Sequence, residues 1–166
     1  MIHARTSAIA AMLIAAGIAL AILAHALGVA GQILLPLHYP PLIGGLLLGG
    51  RWGAVMGFMT PLLSAFLTGM PPLIPSALLM APETAVYGGV AGALRKRVGL
   101  YPALICALIL GRIAWAVGAW LLTPVLGFHL SPLTAVGAAT LTGLPGIIGQ
   151  IILAPTVVSR LEGILR

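Results

Sequence analysis

Only ten of the 166 side chains carry a formal charge: seven Arg, one Lys and two Glu, with no Asp and no Asn anywhere. A soluble domain carries charge on about a quarter of its residues. Here the charged fraction is 6%, the hydrophobic fraction 61% and the mean hydropathy +1.19. So few charges cannot clothe a water-facing surface, so the solvent must be largely lipid. At roughly 20 residues per crossing plus connections, the length allows about six or seven helical spans. The expected fold class is an all-α, polytopic membrane protein whose single transmembrane domain occupies residues 1–166.

The same scarcity removes several chemistries. Cys106 is the only cysteine, which excludes an intrachain disulfide or a cysteine cluster for zinc. The only lysine, Lys96, is followed by Arg97, so no Walker A lysine followed by Ser or Thr exists. There is no HExxH, and without Asp no Asp-based metal or phosphotransfer motif can be built. The chain cannot hydrolyse ATP, and uphill work would draw on an ion gradient or another subunit. A net charge of +6 can signal nucleic acid, but in a chain this hydrophobic it reports topology. No nucleic acid, metal or cofactor is expected.

Six segments follow from hydropathy and punctuation. The first, from about Ser7 to Val29, begins like a signal peptide behind Arg5. It is too long for a usual signal core and continues into more membrane sequence, so a mature helix is expected. Pro36, Pro40 and Pro41 then disfavour continuous helix. Pro41 to Gly49 and Ala54 to Thr68 are the second and third segments, separated by Gly49-Gly50-Arg51-Trp52-Gly53. Both are short, and either two short spans within protein or one re-entrant hairpin would accommodate them. Pro75 to Leu94, Tyr101 to Leu122 and Ala135 to Val158 are the fourth to sixth. Gly143, Pro145, Gly146 and Gly149 predict a bent or closely packed first half of the sixth.

Charge placement favours six spans with helices 2 and 3 short. Arg5, Arg51, Arg95, Lys96, Arg97, Arg160 and Arg166 all fall on one side, and the opposite loops carry no Lys or Arg. Positive residues accumulate on the cytoplasmic side, which predicts both termini there. Merging the second and third segments would spoil that separation.

Glu83 and Arg112 are left inside the membrane. Glu83 lies about eight residues from the outer end of its segment and Arg112 about eleven from the inner end of its own, so at ~1.5 Å per residue both come near mid-membrane. A charge there costs ~2.5–3.5 kcal/mol on insertion scales and must face protein or water. An ion pair between them is the simplest account, serving either as a staple between two helices or as the polar floor of a ligand cavity. Tyr87, four residues after Glu83, shares its face, and Trp115 shares that of Arg112. An acid, a base and aromatics together suit a small, flat, partly polar molecule. Trp120 better suits an interfacial belt. Gln150 fits cavity lining and an interhelical hydrogen bond equally well.

The outer loops carry His38 and Tyr39, Met70, and Phe128 and His129, in Pro-rich, charge-poor surroundings suited to a lid. His38 is held among prolines, His129 more resembles a solvated loop residue, and His25 reads as packed or interfacial. In the first segment Ala11, Ala15 and Ala19 recur at spacings of four, which allows close approach of another helix, within this chain or from a separate membrane subunit.

The run Leu35-Pro36-Leu37-His38-Tyr39-Pro40-Pro41, then Gly44-Gly45-Leu46-Leu47-Leu48-Gly49, resembles the substrate-binding S components of energy-coupling factor (ECF) transporters. Pro61-Leu62-Leu63-Ser64, Leu67-Thr68-Gly69-Met70-Pro71-Pro72 and then Met80, Glu83, Tyr87 and Gly88 extend the likeness across about residues 35–92. The resemblance implies a six-helix protein in the cell membrane of a prokaryote that captures a vitamin or related micronutrient from outside. A transmembrane coupling subunit and two cytoplasmic ATPases would supply the energy. It further implies that Ala11, Ala15 and Ala19 dock the coupling subunit. Substrate would be held by His38, Tyr39, Met70, Glu83, Tyr87, Arg112, Trp115 and Gln150. The N-terminal His motif of the nickel/cobalt branch is absent, as is the acidic, Lys-containing loop associated with riboflavin binders. The His38 and Met70 loops look most like proteins assigned to pyridoxine-like or pantothenate-like substrates. A free Arg112 would favour a carboxylate such as pantothenate; an Arg112 paired to Glu83 would favour a neutral ring. A solitary secondary transporter or channel is the alternative function, although no internal repeat or chain of titratable groups supports it. An intramembrane enzyme using His38 or His129 with Ser64 or Ser131 lacks a nucleophile–base motif.

Overall fold

The structure, a computed structural model, describes residues 2–26, 28, 31–127 and 132–165. Helix α1 (Ile2–Ala26) is followed by a single turn, α2 (Gly31–Leu34), a 3-10 turn at Pro36–His38, and α3 (Tyr39–Leu48). Helix α4 (Gly50–Thr68) leads through a π turn at Leu73–Ala77 into α5 (Leu78–Val98), and α6 (Leu100–Leu126), α7 (Pro132–Thr142) and α8 (Leu144–Leu165) follow. Among the described residues four helices are long and apolar enough to cross a membrane: Ala4–Ala26, Leu73–Val98, Leu100–Leu122 and Leu144–Ile164.

Burial is inverted relative to a soluble bundle. Along α6 the exposed stripe is Ile105, Ile109, Ile113 and Val117, whereas the facing stripe is Ala103, Ala107 and Gly111. The polar side chains His38, Thr60, Ser64, Glu83, Thr84 and Gln150 are all buried. An all-helical chain with apolar residues around the whole circumference of its helices is a multi-pass membrane protein.

Several boundaries differ from the hydropathy reading. The first helix, Ile2–Ala26, begins five residues ahead of Ser7, and Val29 lies outside the described residues. Helix α4 starts at Gly50 and takes in Arg51 and Trp52, because Gly49 alone makes the turn, at φ 98°. Arg95, Lys96 and Arg97 form the last turn of α5 instead of the loop after it. Cations there sit favourably against the negative end of the helix dipole. The sixth segment is two helices divided at Gly143, with Pro145 in the first turn of α8, where its missing N–H costs nothing.

Short α3 occupies the middle of the bundle, with seven of its ten residues buried. Leu42, Ile43 and Leu46 pack against Tyr87 and Ala91 of α5, Leu104, Ala107 and Leu108 of α6, and Ala154 and Val158 of α8. Protein on all sides is what permits a helix too short to span. Helices α3, α4 and α5 meet backbone to backbone. A Cβ at Gly88 would overlap Gly53, and one at Gly45 or Gly53 would overlap the Gly88 carbonyl. Thr84 Oγ1 spans the same seam, donating to the Gly57 carbonyl at 2.6 Å. In lipid, where no hydrophobic force drives helices together, such close packing supplies the association. At the far end of α5, Arg95 donates to the Leu46 carbonyl and pairs with Glu162 of α8 at 2.6 Å, joining three helices.

Gly88→Leu should therefore force α4 and α5 apart and cost at least ~2 kcal/mol, in the range for overpacked cores. Gly163→Ala, where nothing lies within 4 Å, should be neutral or stabilising by up to ~1 kcal/mol through helix propensity. Thermal melting of both variants in detergent reads the difference.

Candidate functional site

Two breaks in helical structure and one intact helical face build a cavity of about 680 Å³. The first break lies between α2 and α3. Leu35 adopts φ 51°, ψ 48°, the one non-glycine at positive φ among the described residues. The following proline disfavours right-handed helix at this position, and such strain persists only where surroundings hold it. Leu35, Pro36, Leu37 and His38 are all buried and line the cavity. The second break follows α4, whose cap Gly69 has φ 73°. Ser64 Oγ donates to the Met70 carbonyl at 2.6 Å, and the Met70 N–H donates to Thr68 Oγ1 at 3.1 Å. These bonds latch Gly69, Met70, Pro71 and Pro72 over the cavity mouth. They also engage the Ser64 hydroxyl with backbone.

The intact face belongs to α5. Leu79, Met80 and Glu83 line the wall at helical spacing, with Ser76 from the preceding π turn, opposite Arg112 and Trp115 of α6. Ala21 and His25 of α1 and Ala138, Ala139 and Thr142 of α7 complete it.

Glu83 is 1% exposed and organises the floor. Its Oε1 accepts from the Tyr87 hydroxyl at 3.0 Å and lies 3.1 Å from Arg112 Nη1. Its Oε2 lies 3.6 Å from His38 Nε2, beyond hydrogen-bond length. The His38 and Tyr87 rings meet at a tilt of 51° with centroids 5.5 Å apart. A buried carboxylate holds in this setting because a cation and a hydroxyl both meet it. A glycine makes the geometry possible: a Cβ at Gly111 would overlap the Tyr87 ring, and one at Gly143 would crowd the Ala139 carbonyl and the Leu35 side chain. Arg112 Nε and Nη2, both His38 nitrogens and both Gln150 side-chain polar atoms are buried without a hydrogen-bond partner. Unmade bonds of this kind are costly, and each needs a reason.

Of the residues singled out from sequence, His38, Met70, Glu83, Arg112 and Trp115 line this one cavity. Tyr87 sits beneath its floor, bonded to Glu83. Tyr39 and Gln150 are off the wall. The Tyr39 hydroxyl reaches the Gly146 carbonyl at 3.5 Å, and Gln150 is wholly buried within α8. Ala11, Ala15 and Ala19 are exposed on the outward face of α1, away from buried Ala10, Gly17, Ile18 and Ala21. Phe128, His129 and Ser131 lie outside the described residues. Trp120 is exposed.

Sequence reasoning missed several wall residues. His25, read as packed or interfacial, lines the cavity one turn beyond Ala21, whose carbonyl accepts from its Nδ1 at 2.8 Å. Ser76, Leu79 and Met80 lie seven, four and three residues before Glu83, a periodicity that marks its face. Ala138, Ala139 and Thr142 carry no such signal; the break at Gly143 brings them in.

Glu83→Ala should leave Arg112 without its counter-charge and cost ~3–5 kcal/mol of stability. In a double-mutant cycle, Glu83→Ala and Arg112→Ala should be non-additive by at least ~1 kcal/mol; additive melting shifts would show that the pair contributes nothing.

The family model described as "ECF transporter, substrate-specific component" matches residues 5–158 of the chain. No curated protein and no solved structure matches it significantly.

Proposed function

The chain belongs to the substrate-specific components of ECF transporters, and on that premise we propose that it captures a small water-soluble vitamin or vitamin precursor from outside the cell. A pyridoxine-like or pantothenate-like molecule is favoured, delivered across the membrane with a transmembrane coupling subunit and two cytoplasmic ATPases. One observation carries the reading: a cavity of about 680 Å³ whose wall is mostly apolar, with Glu83, Arg112, His25, His38, Ser76 and Thr142 as its polar side chains, and which the bonded Met70 loop helps to line. Its size falls within the ~300–1,000 Å³ of small-molecule sites, and few polar groups in an apolar wall suit orientation of one ligand.

In this reading the chain crosses six times, with both termini cytoplasmic. The helices α3 and α4 form the short second and third spans, and α7 with α8 forms a broken sixth. The support is positional. Arg51, Arg95, Lys96 and Arg97 gather around the far ends of α4 and α5, opposite the Met70 and His38 loops, so a positive-inside orientation turns the cavity outward. His38, Met70, Glu83, Arg112 and Trp115 contact the ligand, while Tyr87 holds Glu83. Tyr39 and Gln150 act from behind, through the seat of α8. Exposed Ala11, Ala15 and Ala19 present a low-relief surface on which the coupling subunit docks.

The first test is thermal melting of the purified protein in detergent against a panel of water-soluble vitamins and precursors. A ligand at about 100 times its Kd adds ~2.7 kcal/mol to the folded state, so one member should raise the Tm clearly and the others should not. A flat panel with folded, ligand-free protein would sink vitamin capture. For the docking face, Ala15→Leu should leave that Tm rise intact and reduce uptake in cells carrying the coupling module; loss of binding would place Ala15 inside the core.

A further inference from the structure

Resting on the reading that this cavity captures a vitamin, we propose that its ligand is an uncharged flat ring that presents two adjacent hydrogen-bond acceptors to the Nε–Nη2 edge of Arg112. The argument begins with the guanidinium. Arginine carries five N–H donors in a planar fork, and Nε–H runs parallel to one Nη2–H along a single edge. Arg112 uses Nη1 on Glu83 at 3.1 Å, and both nitrogens of the other edge are buried without a partner. A pair of donors in that spacing is satisfied by two coplanar acceptors, the match by which arginine reads the carbonyl oxygen and adjacent ring nitrogen of guanine.

Charge selects between ligand classes. Glu83 and Arg112 are the two formally charged residues on the described wall, and they oppose each other. A carboxylate on the same guanidinium would place a second anion beside Glu83 and leave the floor with an uncompensated negative charge. A cation drawn to Glu83 would meet Arg112 at close range. In apolar surroundings either excess is expensive, whereas a neutral ring satisfies the N–H groups and leaves the pair balanced. The histidines fit the same class. His38, 1% exposed, has both ring nitrogens unpartnered and offers a further hydrogen bond. His25 has its Nδ1–H committed to the Ala21 carbonyl. Trp115, three residues beyond Arg112 on the same helical face, supplies a flat apolar surface on the wall.

The test compares ring-matched probes on the whole detergent-purified chain: nicotinamide against nicotinate, and pyridoxine against 4-pyridoxate, with pantothenate, thiamine and the remaining water-soluble vitamins alongside. We expect a net-neutral, flat-ring member to bind about tenfold or more tightly than any carboxylate partner, as a site built around specific hydrogen bonds discriminates. Arg112→Lys, which keeps a positive charge beside Glu83 but loses the planar edge, should weaken that binding by about tenfold or more. The wild-type comparison stands even if that variant fails to fold. Equal or tighter binding of a carboxylate member, of pantothenate or of thiamine would overturn the neutral-ring assignment and leave vitamin capture in place. So would a folded Arg112→Lys protein with undiminished affinity. No response to any vitamin would overturn both.

Discussion

The bond network around the Glu83 carboxylate is the constraint on which the rest of the structure hangs. A carboxylate 1% exposed in an apolar bundle persists only with a cation and further hydrogen bonds in place. Arg112 Nη1 and the Tyr87 hydroxyl supply them to one oxygen, at 3.1 and 3.0 Å. Meeting that demand fixes α6 against α5 in register and in rotation. It also seats the Tyr87 ring against Gly111, where any larger residue would collide. His38 Nε2 lies 3.6 Å from the second oxygen, close to it but without a hydrogen bond. The cavity floor is thus a by-product of what a buried charge requires.

The two ends of the bundle differ for a related reason. Helices α3, α4 and α5 touch through glycine backbone, and at their far end Arg95 joins the Leu46 carbonyl to Glu162. Toward the other end the chain abandons regular helix at Leu35–His38, at Gly69–Pro72 and at Gly143. Irregular backbone within a membrane is tolerated where it is buried in protein or lines a cavity; Leu35–His38 and Gly69–Pro72 line this one, and Gly143 follows the wall residue Thr142. The solid end anchors helices, and the broken end opens a space about the size of a small organic molecule.

Much of this was legible in the residues. Hydropathy and the positions of Gly and Pro located the helical segments, and the isolation of Glu83 and Arg112 in apolar runs identified the ion pair. The Pro-rich setting of His38 and the Gly69–Pro72 run pointed to the loops that now roof the cavity. What could not be read is equally specific. Gly111 looks like an ordinary small residue until the Tyr87 ring is seen against it. Tyr39 and Gln150 share the aromatic and polar character of the wall residues yet stand behind it, because helix rotation, and not residue type, decides which way a side chain points.

The sequence by itself determined the solvent and the class of fold, since these follow from composition: ten charges cannot cover a soluble protein of 166 residues. It also determined that Glu83 and Arg112 must be compensated, because the cost of a lone intramembrane charge is local and does not depend on topology. Only the tertiary structure decided how they are compensated: one edge of Arg112 consumed and one left over, with Tyr87 below and His38 above. That arrangement depends on interhelical distances of a few ångströms, set by glycines scattered over α3 to α8. Such distances are a property of packing and carry no signature in hydropathy or spacing along the chain.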